Sequence, residues 1–377
     1  LFTPDNQRIA VANAPYQPSG SSLVFLVLES DNNLYVQDTT QAYSPTKISH
    51  TTGGTGSFSF NAQADWISPD GGWVLYNYKD ASLDSHLYAT KLDGTQINLI
   101  HSGTHNSVNF SLMRWNSTSS HFIFVTNDLV ATNYHLFAAV PGTPGSSYQL
   151  SPAGANANGK TNEAIITPDG TKVVFAGDFA SAAYSDVYSI DISDNTGATR
   201  ARLNATTNPN RFIYSAGWYN YTANTYITPD SSRVIYFSDE DTASHFKMYA
   251  ATIGTANSSY VVYAPANTAS APLVRQLWIN SASDGAVFYG KIESPIDELI
   301  FVDPKTASSG IKMTSNTINV DDVHILGDLS EAYYLSDEDT VGSIEIMRLN
   351  LSTPATPAVR VGPDLDNTRL IRRLQLT

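Results

Sequence analysis

Short runs of β-branched and aromatic residues, set apart by polar turns, recur along the chain, and one phrase introduces most of them. From Ile67 it reads I-S-P-D-G-G-W-V-L-Y, from Ile166 I-T-P-D-G-T-K-V-V-F, and from Ile227 I-T-P-D-S-S-R-V-I-Y. The N-terminus carries F-T-P-D-N-Q-R-I-A-V from Phe2. Weaker copies keep the register from Trp115, Ile279 and Ile325. A second strand start follows each copy, at Leu34, Leu87, Leu136, Val187, Met248, Leu299 and Ile346. In six of the seven copies the offset is 20 or 21 residues; in the first it is 32, and an insertion around Pro15 to Ser22 accounts for the excess. The mean period is about 54 residues, the scale of blade-type arrays.

Each unit reads as four short strands. An apolar residue enters a Pro-Asp-Gly turn, in which Pro pre-sets φ, Asp bonds the local backbone and Gly tolerates positive φ. A β-branched and aromatic strand follows, then a polar hairpin and a third strand such as Leu87 to Leu92. A fourth closes the unit, as at Asn98–Ile100, Tyr148–Leu150 and Val359–Val361. No long stretch sustains helical periodicity. One four-stranded sheet cannot bury both faces alone, whereas radial repetition does so and shortens exposed edges. The predicted fold is therefore all-β: residues 1–377 form a single seven-bladed β-propeller of four-stranded antiparallel blades. Phe2 has only Leu1 before it, so Arg369 to Thr377 (R-L-I-R-R-L-Q-L-T) is expected to supply the innermost strand of the first blade. The ring would then close by pairing of the N- and C-terminal segments.

The phrase I-[ST]-P-D-G-x-x-V-x-[FY], followed by [LV]-Y, resembles the TolB-like (WD-type) β-propeller repeat, and the resemblance covers essentially the whole chain. It implies a ring with a central channel and a role in binding proteins, glycans or ions. The family's namesake carries a further N-terminal α/β domain, and other relatives precede a serine-peptidase domain. Neither is expected within these 377 residues.

Charge narrows the partners. The net charge is −14 with 21 Lys+Arg, which argues against nucleic acid, because phosphate neutralisation needs a basic surface. Apolar stretches fall short of the ~20 residues of a spanning helix, so no membrane insertion is expected. Cysteine is absent, which excludes disulfides and thiolate chemistry. The polar positions go to Ser, Thr, Asn and Tyr, a composition of exported proteins. The expected location is extracellular, cell-surface or periplasmic.

No G-x-S-x-G elbow, H-E-x-x-H, P-loop or EF-hand loop occurs. His86 and His135 share a repeat position with Asn33, Asp186, Lys247 and Glu345, which reads as a solvated strand start. His101 and His105 lie in a connecting loop, where their spacing fixes no shared face for a metal. The acidic hairpins Ser238-Asp239-Glu240-Asp241 and Ser336-Asp337-Glu338-Asp339 read as turns, with structural calcium as the alternative. No catalytic residue, functional metal or other cofactor is assigned. One segment breaks the pattern: Asn208 to Tyr226 crowds Arg211, Phe212, Tyr214, Trp218, Tyr219, Tyr221 and Tyr226 into a connection that need only turn the chain. Long aromatic loops serve recognition, so the first six are the candidate ligand platform, and plugging between sheets is the competing role. The sequence thus reads as a non-catalytic binding or scaffold module for a protein or glycan, and as one part of a larger assembly. The alternative is a propeller enzyme, a polysaccharide lyase or hydrolase with a divalent ion in its channel.

Overall fold

The structure is a computed structural model that describes residues 9–10, 24–28, 33–38, 46–50, 57–59, 65–103, 110–128, 133–153, 159–181, 184–205, 225–242, 244–265, 273–293, 295–314, 320–336 and 344–362. All its regular elements are strands, and they form seven four-stranded antiparallel sheets, the strand set of a seven-bladed propeller. Each sheet is made of four strands consecutive in the chain. Two compact units divide the residues. The first, Leu1–Ala182 with Ser189–Arg200, holds the first three sheets; the second, Ala183–Tyr188 with Ala201–Thr377, holds the last three. No helix among the described residues is long and apolar enough to cross a membrane.

The recurring phrase sits at the junction of the first and second strands, and its hydroxyl and carboxylate lock the turn. Thr167 Oγ1 donates to Asp169 Oδ1 at 2.5 Å and accepts the Lys172 N–H at 3.0 Å, while Asp169 Oδ1 accepts the Thr171 N–H at 3.0 Å. Ser68 with Asp70 and Thr228 with Asp230 repeat the arrangement. These aspartates bond their own turns, as their spacing predicts. Some turns also tie to the next sheet: the Asp70 N–H reaches Ser119 Oγ at 3.1 Å, and the Asp230 N–H reaches Ser283 Oγ at 3.0 Å.

The second strands of the second to sixth sheets bury both faces, which is why they read as continuous apolar runs rather than alternating ones. In the second sheet Val74, Tyr76 and Tyr78 pack with Leu34, Val36 and Ile48 of the first, while Leu75 joins Phe122 and Phe124 of the third. In the second unit Ile235 and Phe237 meet Ala286 and Phe288, and Val287 and Tyr289 meet Ala332 and Tyr334. Within each unit these clusters therefore lie as layers between consecutive sheets.

Two sequence expectations need correction. The first sheet is Ile9–Ala10, Val24–Leu28, Leu34–Asp38 and Thr46–Lys47, in that order. Ile9–Ala10, predicted as a second strand, pairs with Leu26 and Val27 as a first strand. In the sequence, Y-Q-P-S-G-S-S-L-V-F from Tyr16 leads into Val24–Leu28 and stands eighteen residues before Leu34, while Pro15 to Ser22 lie outside the described residues. The place reserved for the C-terminal segment beside Val24–Leu28 is thus taken by Ile9–Ala10, and Arg369 to Thr377 lie outside the described residues.

The second correction concerns the third-strand start. Asn33, His135, Asp186 and Glu345 are buried there, not solvated. At Asn33, His135 and Asp186 a hydroxyl or amide just after the fourth strand satisfies the site, whereas Glu345 faces Arg360 at 3.7 Å. Ser49 Oγ donates to Asn33 Oδ1 and accepts the Leu34 N–H, both at 3.1 Å. Ser151 does the same work for His135 and Leu136, and Asn204 for Asp186 and Val187. A buried polar side chain tolerates varied identity here because its partner varies with it.

Candidate functional site

A groove of about 860 Å³ opens between the first strands of the sixth and seventh sheets, Leu273–Ile279 and Val320–Leu326. Both strands carry a β-bulge. Val274 pairs with Gly290 and Gln276 with Tyr289, which leaves Arg275 as the extra residue. Asp321 pairs with Leu335 and His324 with Tyr333, so Asp322 and Val323 together face Tyr334. Asp322 takes φ 48°, a left-handed conformation that aspartate accepts. A bulge frees its extra residue from the ladder and re-aims side chains. Arg275 and Asp322 both line the groove.

The remaining walls are Trp278, Tyr289, Asp297, Asp321 and His324, with Gln276 at the rim. Arg275 Nε donates to Asp297 Oδ1 at 2.6 Å, and this carboxylate holds the guanidinium above its ordinary pKa. Tyr289 donates its hydroxyl to the Val320 carbonyl at 3.1 Å; burial, reinforced by Asp297 and Asp321, pushes its pKa up to about 12. His324 Nε2 lies 3.4 Å from Asp322 Oδ1. Trp278 is part-exposed and packs on the core layer shared by the two sheets. Arg275, Gln276 and His324 thus share one cleft with three carboxylates (Asp297, Asp321, Asp322) and an indole.

The six platform residues chosen from sequence, Arg211, Phe212, Tyr214, Trp218, Tyr219 and Tyr221, lie outside the described residues. Tyr226, at the end of the same segment, packs edge-on against Phe288 with centroids 5.8 Å apart, which is plugging between the fifth and sixth sheets. In the first acidic hairpin every carboxylate has a protein partner. Asp239 Oδ2 accepts the Ser244 N–H, Glu240 accepts the Tyr236 and Ser259 hydroxyls, and Asp241 pairs with Lys247. The second hairpin, Asp337 to Asp339, lies outside the described residues. No group of three or more His and carboxylate side chains able to hold a metal occurs among the described residues.

His101, expected in a connecting loop, lies on the fourth strand of the second sheet, Ile97–Ser102, as a mostly buried link to the third sheet. Its Nδ1 lies 2.9 Å from Ser147 Oγ and its Nε2 3.1 Å from Asp128 Oδ2, with Phe110, Phe124 and Phe137 around the ring. Burial lowers its pKa below the ordinary 6.5, although Asp128 opposes the shift. His50, His121 and His135 are lowered by burial too. The unfolded chain therefore binds protons that the folded chain refuses. Stability is full above about pH 6.5 and falls as acid carries each histidine from its unfolded towards its lower folded pKa. We expect the urea midpoint to drop between pH 7 and pH 5, and His101→Gln to flatten that slope. A midpoint independent of pH over this window would show that the four histidines are neutral to folding.

No family model matches the chain, and no curated protein matches it. Solved structures do. One comes from a structural and mechanistic analysis of two prolyl endopeptidases, at 13% identity and a TM-score of 0.44, covering 93% of this chain and 50% of that one. Another is a puromycin-hydrolyzing peptidase of Mycobacterium tuberculosis, at 11% identity and a TM-score of 0.41, covering 88% of this chain and 51% of that one. The chain spans about half the length of each.

Proposed function

We propose that this chain is a non-catalytic recognition module that engages a protein or glycan through the groove between its sixth and seventh sheets. The observation that carries the reading is the pair of facing bulges, which deliver Arg275 and Asp322 into one cleft beside Trp278. The cleft's volume is within the range of natural ligand sites. The TolB-like repeat favours a binding role, and the cysteine-free, Ser/Thr/Asn-rich composition suits an exported or cell-surface setting. The net charge of −14 disfavours polyanionic partners.

The test screens arrays of glycans and secreted proteins with the wild type and with a variant whose groove is blocked by Gln276→Trp and Asp321→Arg, both at exposed positions. At least one binder should appear, and blocking should weaken it tenfold or more with melting temperature unchanged. A binder indifferent to the block, or no binder, overturns the reading. Mass spectrometry of any bound glycan follows its chain length, and shortening during incubation would favour the enzyme alternative.

A further inference from the structure

Resting on that reading, we infer that the groove takes a neutral oligosaccharide, with Trp278 as the stacking platform and the Arg275–Asp297 pair, Asp321 and Asp322 as hydroxyl partners. Three features of the groove point the same way.

The first is the mixture of polar groups. A sugar hydroxyl is at once donor and acceptor, so vicinal hydroxyls are best met by donors and acceptors set side by side. The groove has this arrangement on both walls: guanidinium beside carboxylate at Arg275 and Asp297, and imidazole beside carboxylate at His324 and Asp322. The Arg275 side chain is 44% exposed while its Nε–H is fixed on Asp297, so its fork is oriented and still open to a ligand. An ordered guanidinium costs a ligand little entropy to engage.

The second is the balance of charge. Arg275 is paired with Asp297, and Asp321 and Asp322 add two further carboxylates to the walls. Carboxylate-bearing sugars and phosphorylated ligands would meet like charge there, whereas a neutral glycan would meet charge-assisted acceptors. The third is the aromatic surface. Trp278 stays part-exposed within a mostly polar cleft, an amphipathic surface suited to the C–H face of a pyranose ring. Tyr289 is nearly buried with its hydroxyl committed to the Val320 carbonyl, so it is floor rather than platform.

Isothermal titration with cello-, malto-, xylo- and chito-oligosaccharides, and with oligogalacturonate as the anionic counterpart, tests the inference. At least one neutral series should bind, oligogalacturonate should bind at least tenfold more weakly, and Asp321→Asn should narrow that gap. Trp278→Ala should weaken the neutral ligand tenfold or more. Because Trp278 also packs on the core, the Trp278→Phe variant and melting temperatures separate lost stacking from lost folding; Phe should restore part of the binding. Failure of every neutral series, or equal binding of oligogalacturonate, overturns the inference. If a protein from the array screen is the groove-dependent binder instead, the recognition reading stands and the glycan assignment falls.

Discussion

Replacing Lys312 by alanine should destabilise the protein by about 3–5 kcal/mol, the range for stripping one partner from a buried ion pair. The Lys312 ammonium is paired with Glu298 and, at 3.1 Å, with Glu293. Glu298 is fully buried, and its Oε1 accepts the backbone N–H groups of Ile292 and Glu293. Glu293 is 8% exposed and accepts the Tyr263 hydroxyl at 3.0 Å from the fifth sheet. Two carboxylates thus share one cation in a site with little access to water. Without Lys312 the Glu298 charge keeps its backbone donors but loses its counter-ion, and burial makes that loss expensive. Chemical denaturation of Lys312→Ala measures the loss. Adding Glu298→Gln to the alanine variant should recover a substantial part, since the amide oxygen can still accept both N–H groups while the charge is gone. A Lys312→Ala protein within 1 kcal/mol of wild type would show that the ammonium contributes solvation of its own rather than neutralising its neighbours.

This cluster also shows how far sequence alone reaches. The repeat phrase located the boundary between first and second strands in six sheets, because Ser/Thr and Asp in three copies, and Asn116 and Asn280 in two others, bond their own turn and leave a local signature. The first sheet went astray for the same reason in reverse. Thr3-Pro4-Asp5 matches the phrase letter by letter, whereas the run from Tyr16 that leads into Val24–Leu28 has Ser19 in place of Asp. Third-strand starts were misread as solvated because each buried polar group finds its partner fifteen to eighteen residues on, at the end of another strand. A pattern read within one strand sees half of such a pair.

The groove was missed on similar grounds. Arg275, Asp321, Asp322 and His324 lie on first strands, ahead of the phrase, where no recurring letters mark the register. One signal was available: counted back from Ile279 and Ile325, the polar pairs Arg275-Gln276 and Asp321-Asp322 fall at the same offset. What turned that offset into a site was the bulge, and a bulge is a property of pairing between strands. The aromatic cluster of residues 211–221 drew attention instead, since composition is visible in a sequence and backbone register is not.

Gly290→Ala is the second substitution expected to have a large effect, and it probes how the bulge is accommodated. Gly290 stands opposite Val274, directly before the extra residue Arg275, with φ at 149°, outside the range that L side chains favour. A Cβ at this position would collide with the Leu273 carbonyl oxygen and lie 3.0 Å from the Arg275 nitrogen. Both obstacles are backbone, so no side-chain rotation relieves them. Gly177 holds the equivalent place in the fourth sheet, opposite Thr161, where a Cβ would meet the Lys160 carbonyl oxygen at 2.5 Å. The third and seventh sheets accommodate their bulges differently, through left-handed Leu112 and Asp322 on the bulged strand, and have Thr126 and Ser336 at the glycine position. The same distortion is thus absorbed on the bulged strand in two sheets and opposite it in two others. In the sixth sheet alanine leaves only the costly route of moving the first strand. We expect Gly290→Ala to lose about 3 kcal/mol or more of stability, as strained backbone positions do when a side chain is forced on them. The displaced strand carries Arg275, so its bond to Asp297 should also loosen and groove-dependent binding should fall more than tenfold in whatever fraction stays folded. Ser336→Ala, at the same repeat position in the seventh sheet, is the control and should change stability by less than about 1 kcal/mol. If Gly290→Ala matched that control, the bulge would be free to move and could not be what holds Arg275 in the groove.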